Sequence, residues 1–193
     1  MKICIYGAAS STIDKKYIDA VESLGEKMAM RGHELIFGAG DNGMMGAAAR
    51  GVKKAGGTVI GISPNFFNVD GVLFPDCDEM YRPDTMRERK MMLDEMSDAF
   101  IITPGGIGTL DEFFEIFTLK QLSRHKKAIV IYNIVGFYDG LISFLNQLIE
   151  KNFLRAESMN LVKVMDDPDE ILYYIETFVP LDFKIDEVRN IEE

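Results

Sequence analysis

The residues best able to bind an anion and to move charge lie between Arg87 and Glu115. Within that span, the segment Pro104–Thr109 follows an apolar run and carries three glycines in four positions. Such a turn directs several backbone N–H groups to one side, which forms a nest for a phosphate. Thr109 is a candidate helix cap with a free hydroxyl. The turn is not a Walker P-loop, because no Gly-Lys-Ser/Thr follows it. The predicted phosphate contacts are Gly105, Gly106, Gly108 and Thr109.

Acidic and basic side chains flank this turn. Asp111 and Glu112 are predicted in the first turn of the next helix, where acids also compensate the helix dipole. A carboxylate beside a phosphate is repelled by it, which favours a chemical role for the acid. The basic run Met86–Lys90 is typical of a solvated helix face. Its residues lie far from the glycine turn unless the Pro-containing segment Ser63–Asp84, which includes an exposed-looking Asn65-Phe66-Phe67, wraps back over the site.

Two further turns are rich in small residues. The segment Gly7–Ser11 follows the first apolar run, and Ser10 supplies a hydroxyl there, although a purely structural role is equally consistent. The segment Gly38–Gly46 precedes a helix rich in alanine. The N–H groups that follow Gly43 are candidates for a phosphate or ribose contact, whereas helix packing also explains the residues at the end of that segment.

Short apolar runs alternate with amphipathic stretches, which predicts βαβ units. The expected fold is α/β, a Rossmann-like, doubly wound and mostly parallel sheet with helices on both faces. We expect one domain over residues 1–180 and a solvated acidic tail over 181–193. The predicted strands are Lys2–Tyr6, Glu34–Phe37, Thr58–Ile62, Ala99–Thr103, Ala128–Tyr132 and Leu161–Val164. The predicted helices are Lys15–Arg31, Met44–Ala55, Met86–Met96, Thr109–Ser123, Tyr138–Asn152 and Pro168–Thr177.

Composition narrows the possible partners. The 193 residues carry a net charge of −10, with 31 acidic against 21 basic side chains, which disfavours nucleic acid and anionic membranes. No apolar run approaches the roughly 20 residues that span a bilayer, so we expect a cytoplasmic protein. Cys4 and Cys77 are too few and too far apart for a disulfide framework or a zinc site, and we expect no metal.

Two motifs together resemble the Lonely Guy family, whose members hydrolyse cytokinin riboside 5′-monophosphates and were long labelled lysine decarboxylases. Pro104–Glu112 fits the family pattern Pro-Gly-Gly-x-Gly-Thr-x-x-Glu, and Met86–Lys90 fits Met-x-x-Arg-Lys. Gly43-Met44-Met45-Gly46 is similar to a third family motif, and the likeness runs from about Ile3 to Leu154. Members often have three glycines where this chain has Gly38-Ala39-Gly40, and their loop before the Arg-Lys pair differs.

The resemblance implies a role for each matching position. Arg89 and Glu112 would form the catalytic pair, Lys90 would lie in the substrate site, and Thr118 would contact substrate. It also implies a homodimer that cleaves the N-glycosidic bond of a nucleoside 5′-monophosphate, with no cofactor. The segment Phe113–Phe117 is a candidate for the dimer interface or for the core. The alternative is a carrier or binding protein of the same fold, such as the molybdenum-cofactor carriers. Lysine decarboxylation normally uses pyridoxal phosphate on a lysine, and no lysine here is marked for that role.

Overall fold

The computed structural model describes residues 1–67, 72–183 and 187, which are organised around a parallel sheet. The seven strands that these residues form run in the order β4-β3-β2-β1-β5-β6-β7, and every neighbouring pair is parallel. Their bounds are β1 Lys2–Tyr6, β2 Glu34–Phe37, β3 Val59–Ile62, β4 Glu79–Tyr81, β5 Ala99–Ile102, β6 Ala128–Tyr132 and β7 Lys163–Met165.

The described part of the chain has six α-helices, of which the first five connect strands and the sixth follows β7. Their bounds are α1 Lys15–Met30, α2 Gly43–Lys54, α3 Met86–Glu95, α4 Ile107–Gln121, α5 Asp139–Glu150 and α6 Pro168–Glu176. Short 3-10 segments at Ile134–Gly136 and Ala156–Leu161 complete the connections. No described helix is both long enough and apolar enough to cross a membrane.

The helices lie on both faces of the sheet, as the alternation of strands and helices predicts. Successive strand residues point to opposite faces. Ile3 and Ile5 belong to one apolar cluster with α1, α2 and α6, whereas Cys4 and Tyr6 belong to a second cluster with residues from α3, α4 and α5. The Rossmann-like, doubly wound α/β fold is therefore confirmed. The apolar side chains of the Phe113–Phe117 segment lie in the second cluster, so they pack in the core of the single chain.

The structure corrects two details of the sequence prediction. Strand β4 falls inside the Pro-containing segment Ser63–Asp84, for which the sequence predicts no strand, and it pairs there with β3. Helix α4 begins at Ile107, with Gly106 as its N-cap, so Thr109 is the third helical residue instead of the cap. Asp111 and Glu112 consequently lie in the second turn of α4, beyond the positions where an acid compensates the dipole most strongly.

Most of the predicted acidic tail lies outside the described residues. Within the part that is described, Asp182 is exposed and its Oδ1 lies 2.5 Å from Lys126 Nζ. The loop residues 68–71 also lie outside the described chain.

Candidate active site

A cavity of about 490 Å³ opens at the carboxyl edge of the sheet, where the turns after several parallel strands meet. Ligands of open α/β sheets bind at this edge, at the point where the strand order reverses. Here β1 lies at that point, between β2 and β5. The residues that line it include Ser10, Gly38, Met45, Ser63, Pro64, Phe67, Val72, Leu73, Met86, Arg89, Lys90, Gly106, Gly108, Thr109, Asp111 and Glu112.

The start of α4 forms one wall of the cavity. Its N-cap, Gly106, has no side chain to accept hydrogen bonds from the first-turn N–H groups. Those groups have no intrahelical partner and carry the positive end of the helix dipole. Thr109 is buried in the same wall, and Ser10, whose hydroxyl lies 3.0 Å from the Thr12 hydroxyl, also lines the cavity. This wall can accept an anion such as a phosphate.

Helix α3 carries Arg89 into the cavity. The helix begins at a capping box, in which Thr85 Oγ1 accepts from the Glu88 N–H and the Glu88 carboxylate accepts from the Thr85 N–H. Because β4 ends at the carboxyl edge of the sheet, α3 begins there too. Arg89 is only 9% exposed and donates from Nε to the Ile62 carbonyl at 3.2 Å. The basic run is therefore not a solvated face at this position.

Arg89 forms a buried ion pair with Glu112. Arg89 Nη1 donates to Glu112 Oε1 at 2.7 Å, and the two side chains are 11% and 12% exposed. Burial raises the pKa of Glu112 above its ordinary value, and the opposing effect of the Arg89 charge is smaller. Loss of hydration disfavours the ionised carboxylate, whereas a nearby guanidinium favours it. Glu112 is thus a carboxyl group whose proton affinity is set by both influences.

One oxygen of Glu112 remains available for chemistry. Oε1 is bound by Arg89, while Oε2 accepts no hydrogen bond from residues 1–67 or 72–183. Glu112 also lines a second cavity of about 150 Å³ between α3 and α4. The carboxylate therefore stands between two spaces, one walled by the α4 start and the other by the sides of the two helices.

Lys90 links the two helices beside this pair. Its Nζ lies 2.5 Å from Glu115 Oε2 and 3.2 Å from Asp111 Oδ2. The Glu115 hydrogen bond is the largest effect that raises the pKa of Lys90. Lys90 lines both cavities, so it belongs to the site, and its charge is balanced by the carboxylates of Asp111 and Glu115 on α4.

Three of the predicted contacts do not line the larger cavity. Gly43 is buried with φ +62°, and a side chain there would meet the Ala8 carbonyl, so its conformation serves the packing of α2 against the turn after β1. Gly105 packs against the Thr109 side chain, because a Cβ atom at Gly105 would lie 2.1 Å from Thr109 Oγ1. Thr118 is exposed on α4, about two turns beyond Glu112. Their contacts with substrate stay predictions.

Sequence reasoning pointed to the Ser63–Asp84 segment as one that could wrap over the site, but it did not identify the residues on the apolar side of the cavity. That side is formed by Met45, Pro64, Phe67, Val72, Leu73 and Met86. The exposed-looking aromatic pair at 66–67 was the available signal: Phe67 lines the cavity, and Phe66 is 64% exposed. Within the described ranges, no group of three or more His, Cys, Asp or Glu side chains is arranged to hold a metal ion.

The fold and the site together define a Rossmann-like α/β protein in which an uncapped helix start faces a buried arginine–glutamate pair. The chain belongs to the family described as "possible lysine decarboxylase", which matches residues 45–175, and the resemblance to the Lonely Guy family is confirmed.

Two relatives carry the same activity in their names. The cytokinin riboside 5′-monophosphate phosphoribohydrolase of Mycobacterium tuberculosis is 35% identical over 170 residues, covering 88% of this chain and 90% of that protein. The enzyme of the same name from Oryza sativa subsp. japonica, LOG, is 32% identical over 179 residues, covering 93% and 74%.

A solved structure shares the fold at lower identity. The molybdenum cofactor carrier protein of Chlamydomonas reinhardtii superposes with a TM-score of 0.70 at 21% identity, over 91% of this chain and 95% of that one. Identity at this level supports the common architecture and nothing about the ligand.

Proposed function

We propose that this protein hydrolyses the N-glycosidic bond of nucleoside 5′-monophosphates, cytokinin riboside 5′-monophosphate or AMP among them, releasing the free base and ribose 5-phosphate. The observation that carries the proposal is the buried Arg89–Glu112 pair, 2.7 Å apart, in one cavity with the uncapped start of α4. The names of relatives at 35% and 32% identity support the same reaction.

In this proposal, the start of α4 holds the 5′-phosphate. Gly106 and Gly108 expose backbone N–H groups at the cavity wall, and Thr109 and Ser10 supply hydroxyls. Phosphate bound here fixes the ribose relative to Glu112, which lies about one and a half helical turns further along α4. Binding energy from the phosphate is then used to orient the reacting bond.

Glu112 stabilises the positive charge that develops on the ribose as the bond breaks, or it activates the attacking water; both roles suit a carboxylate with one free oxygen. The oxygen of water adds to the anomeric carbon, and the bonding electrons leave with the base nitrogen. Water loses one proton and the departing base takes up one, so the step balances. Arg89 orients Glu112, and its guanidinium is also close enough to the cavity to stabilise the departing base.

The apolar side of the cavity is the proposed site of the base. Phe67, Leu73 and Met86 offer flat or flexible apolar contacts with a purine and with an apolar substituent on it. Lys90, between Glu115 and Asp111, would lie near the ribose or the phosphate, where its positive charge offsets the negative charge of the phosphate.

We further propose a homodimer that acts in the cytoplasm on this small molecule. Thr118 is exposed and outside the cavity of its own chain, so a contact with substrate would come from a neighbouring subunit. Light scattering after size exclusion measures the subunit number.

The test is to incubate the purified protein with a panel of nucleoside monophosphates and to quantify free base and ribose 5-phosphate by chromatography. Release of both products in equal amounts supports the reaction. Tight binding of a monophosphate with no base released would instead indicate a binding or carrier protein, the role named for the Chlamydomonas protein of similar fold.

A further inference from the structure

The Arg89 guanidinium rests directly on Gly38, in the turn after β2. A Cβ atom built on Gly38 would lie 2.2 Å from Arg89 Nη2 and 3.4 Å from Arg89 Cζ. Real Cβ atoms essentially never come within 3.0 Å of another heavy atom, so any side chain at position 38 competes with the arginine for the same space. The next contact is Met45 Sδ, at 3.1 Å.

The backbone at this position does not itself demand glycine. Gly38 is not among the glycines with positive φ, so an alanine would adopt its conformation without backbone strain. What glycine provides is the absence of a Cβ. Hydrogen bonding to the Ile62 carbonyl and to Glu112 holds two of the three guanidinium nitrogens, and Gly38 leaves the room that the third one occupies.

We propose that Gly38 is a positioning residue for catalysis, which leaves the Arg89 guanidinium the room to lie against Glu112; this inference rests on the proposed hydrolase function. The atom that a Cβ would displace is the far end of a long side chain, so Arg89 can move while the sheet and helices stay in place. A small substitution at position 38 therefore affects the reaction far more than the fold.

The test is Gly38→Ala, compared with Gly140→Ala on α5, where an added Cβ meets nothing within 4 Å and φ is not positive. For Gly38→Ala we expect kcat to fall by about 10²-fold, the typical effect of a displacement of roughly 1 Å in an active site. We expect little change in KM or melting temperature. Gly140→Ala should match the unsubstituted protein in all three measurements.

The pH profile separates positioning from general damage. Arg89 lowers the pKa of Glu112, so moving the guanidinium away should raise that pKa. The acid limb of the pH profile of kcat should then shift to higher pH. A double-mutant cycle gives a second readout: in an Arg89→Lys background, Gly38→Ala should cost little further, because the group that it displaces is already gone. Normal kcat in Gly38→Ala, or a loss with an unmoved acid limb, overturns the inference.

The inference and the proposed function fail in different ways. If the unsubstituted protein releases no base from any nucleoside monophosphate, the hydrolase function is wrong. Carbon-detected NMR titration of the Glu112 carboxyl still decides the role of Gly38, because it requires no turnover. A higher Glu112 pKa in Gly38→Ala than in the unsubstituted protein supports the positioning contact, and an equal pKa refutes it.

Discussion

Replacing Glu112 with glutamine is expected to abolish most activity without weakening the fold. The amide keeps the size of the side chain and an oxygen that accepts from Arg89 Nη1, which now lies 2.7 Å from Glu112 Oε1. It removes the negative charge that would stabilise a cationic ribose. Loss of one such electrostatic contact costs about 10²- to 10³-fold in kcat, or about 2.7–4 kcal/mol.

The expected effect on stability follows from the direction of the Glu112 pKa. Burial raises that pKa above its ordinary value of 4.5, so over a window that begins near pH 4.5 the folded protein holds a proton that the unfolded chain has lost. The stabilising contribution of Glu112 is complete below that window and is lost as pH rises through the folded-state pKa. A glutamine resembles the protonated form at every pH, so it does not suffer this loss.

Differential scanning calorimetry from pH 4 to 8, together with kcat per folded molecule, measures both effects. At neutral pH, the Glu112→Gln variant should melt at the same temperature as the unsubstituted protein or above it, and the difference should shrink towards pH 4. Glu150→Gln, an exposed glutamate on α5, is the matched control and should change neither quantity.

The opposite pattern would refute the reasoning. If the ion pair with Arg89 were chiefly structural, breaking it would cost about 3 kcal/mol or more. For a chain of 193 residues that corresponds to a fall of roughly 6 °C or more in melting temperature. Such a fall, with activity per folded molecule intact, would make Glu112 a structural residue.

Three further outcomes are expected. Steady-state assays should show cleavage of AMP but not of adenosine, and equal rates would remove the phosphate role of the α4 start. Arg89→Lys should lose most activity, because a lysine ammonium cannot replace a planar group that donates to the Ile62 carbonyl and to Glu112 at the same time. Lys54→Arg, at a side chain that is 62% exposed, should lose none. Burial lowers the pKa of Lys120 from 10.5 to about 8, so between these values the unfolded chain holds the extra proton and folding stability rises with pH. Relative to Lys120→Met, the free energy of unfolding of the unsubstituted protein, measured in urea, should rise by on the order of 3 kcal/mol across that pH window. A difference between the two proteins that does not change with pH would contradict the burial argument.

The sequence predicts the architecture well because the local patterns and the fold agree. Buried parallel strands appear as unbroken apolar runs, and three of them, including Lys2–Tyr6, have the predicted bounds. Strand β4 was missed because Glu79–Tyr81 is only three residues long, is partly exposed at the edge of the sheet, and lies between prolines at 75 and 83. Short edge strands carry little hydrophobic signal.

That single omission explains the largest error about the site. Without β4, the helix that carries Arg89 has no strand to begin from, and its basic run is indistinguishable from a solvated face. With β4 in place, α3 must begin at the same edge of the sheet as α4, so Arg89 and Glu112 approach each other although they are 23 residues apart. The family resemblance had selected both residues, but only the topology gives the physical reason for their contact.

The remaining site elements follow from one geometric rule. In a parallel sheet every strand ends at the same edge, so the turns that follow β1, β2, β3 and β5 are neighbours in space. They deliver Ser10, Gly38, Ser63 and Gly106 to one cavity. Glycine turns could be located in the sequence because small residues after apolar runs are a strong local signal. The apolar side of the cavity was signalled only by the exposed-looking aromatic pair at 66–67, since Leu73 reaches the cavity through a bridge between Gly40 and Leu73 that depends on long-range pairing. The proposed phosphate contacts are therefore readable from local sequence in this fold, whereas the proposed base contacts depend on a loop whose position only the folded chain determines.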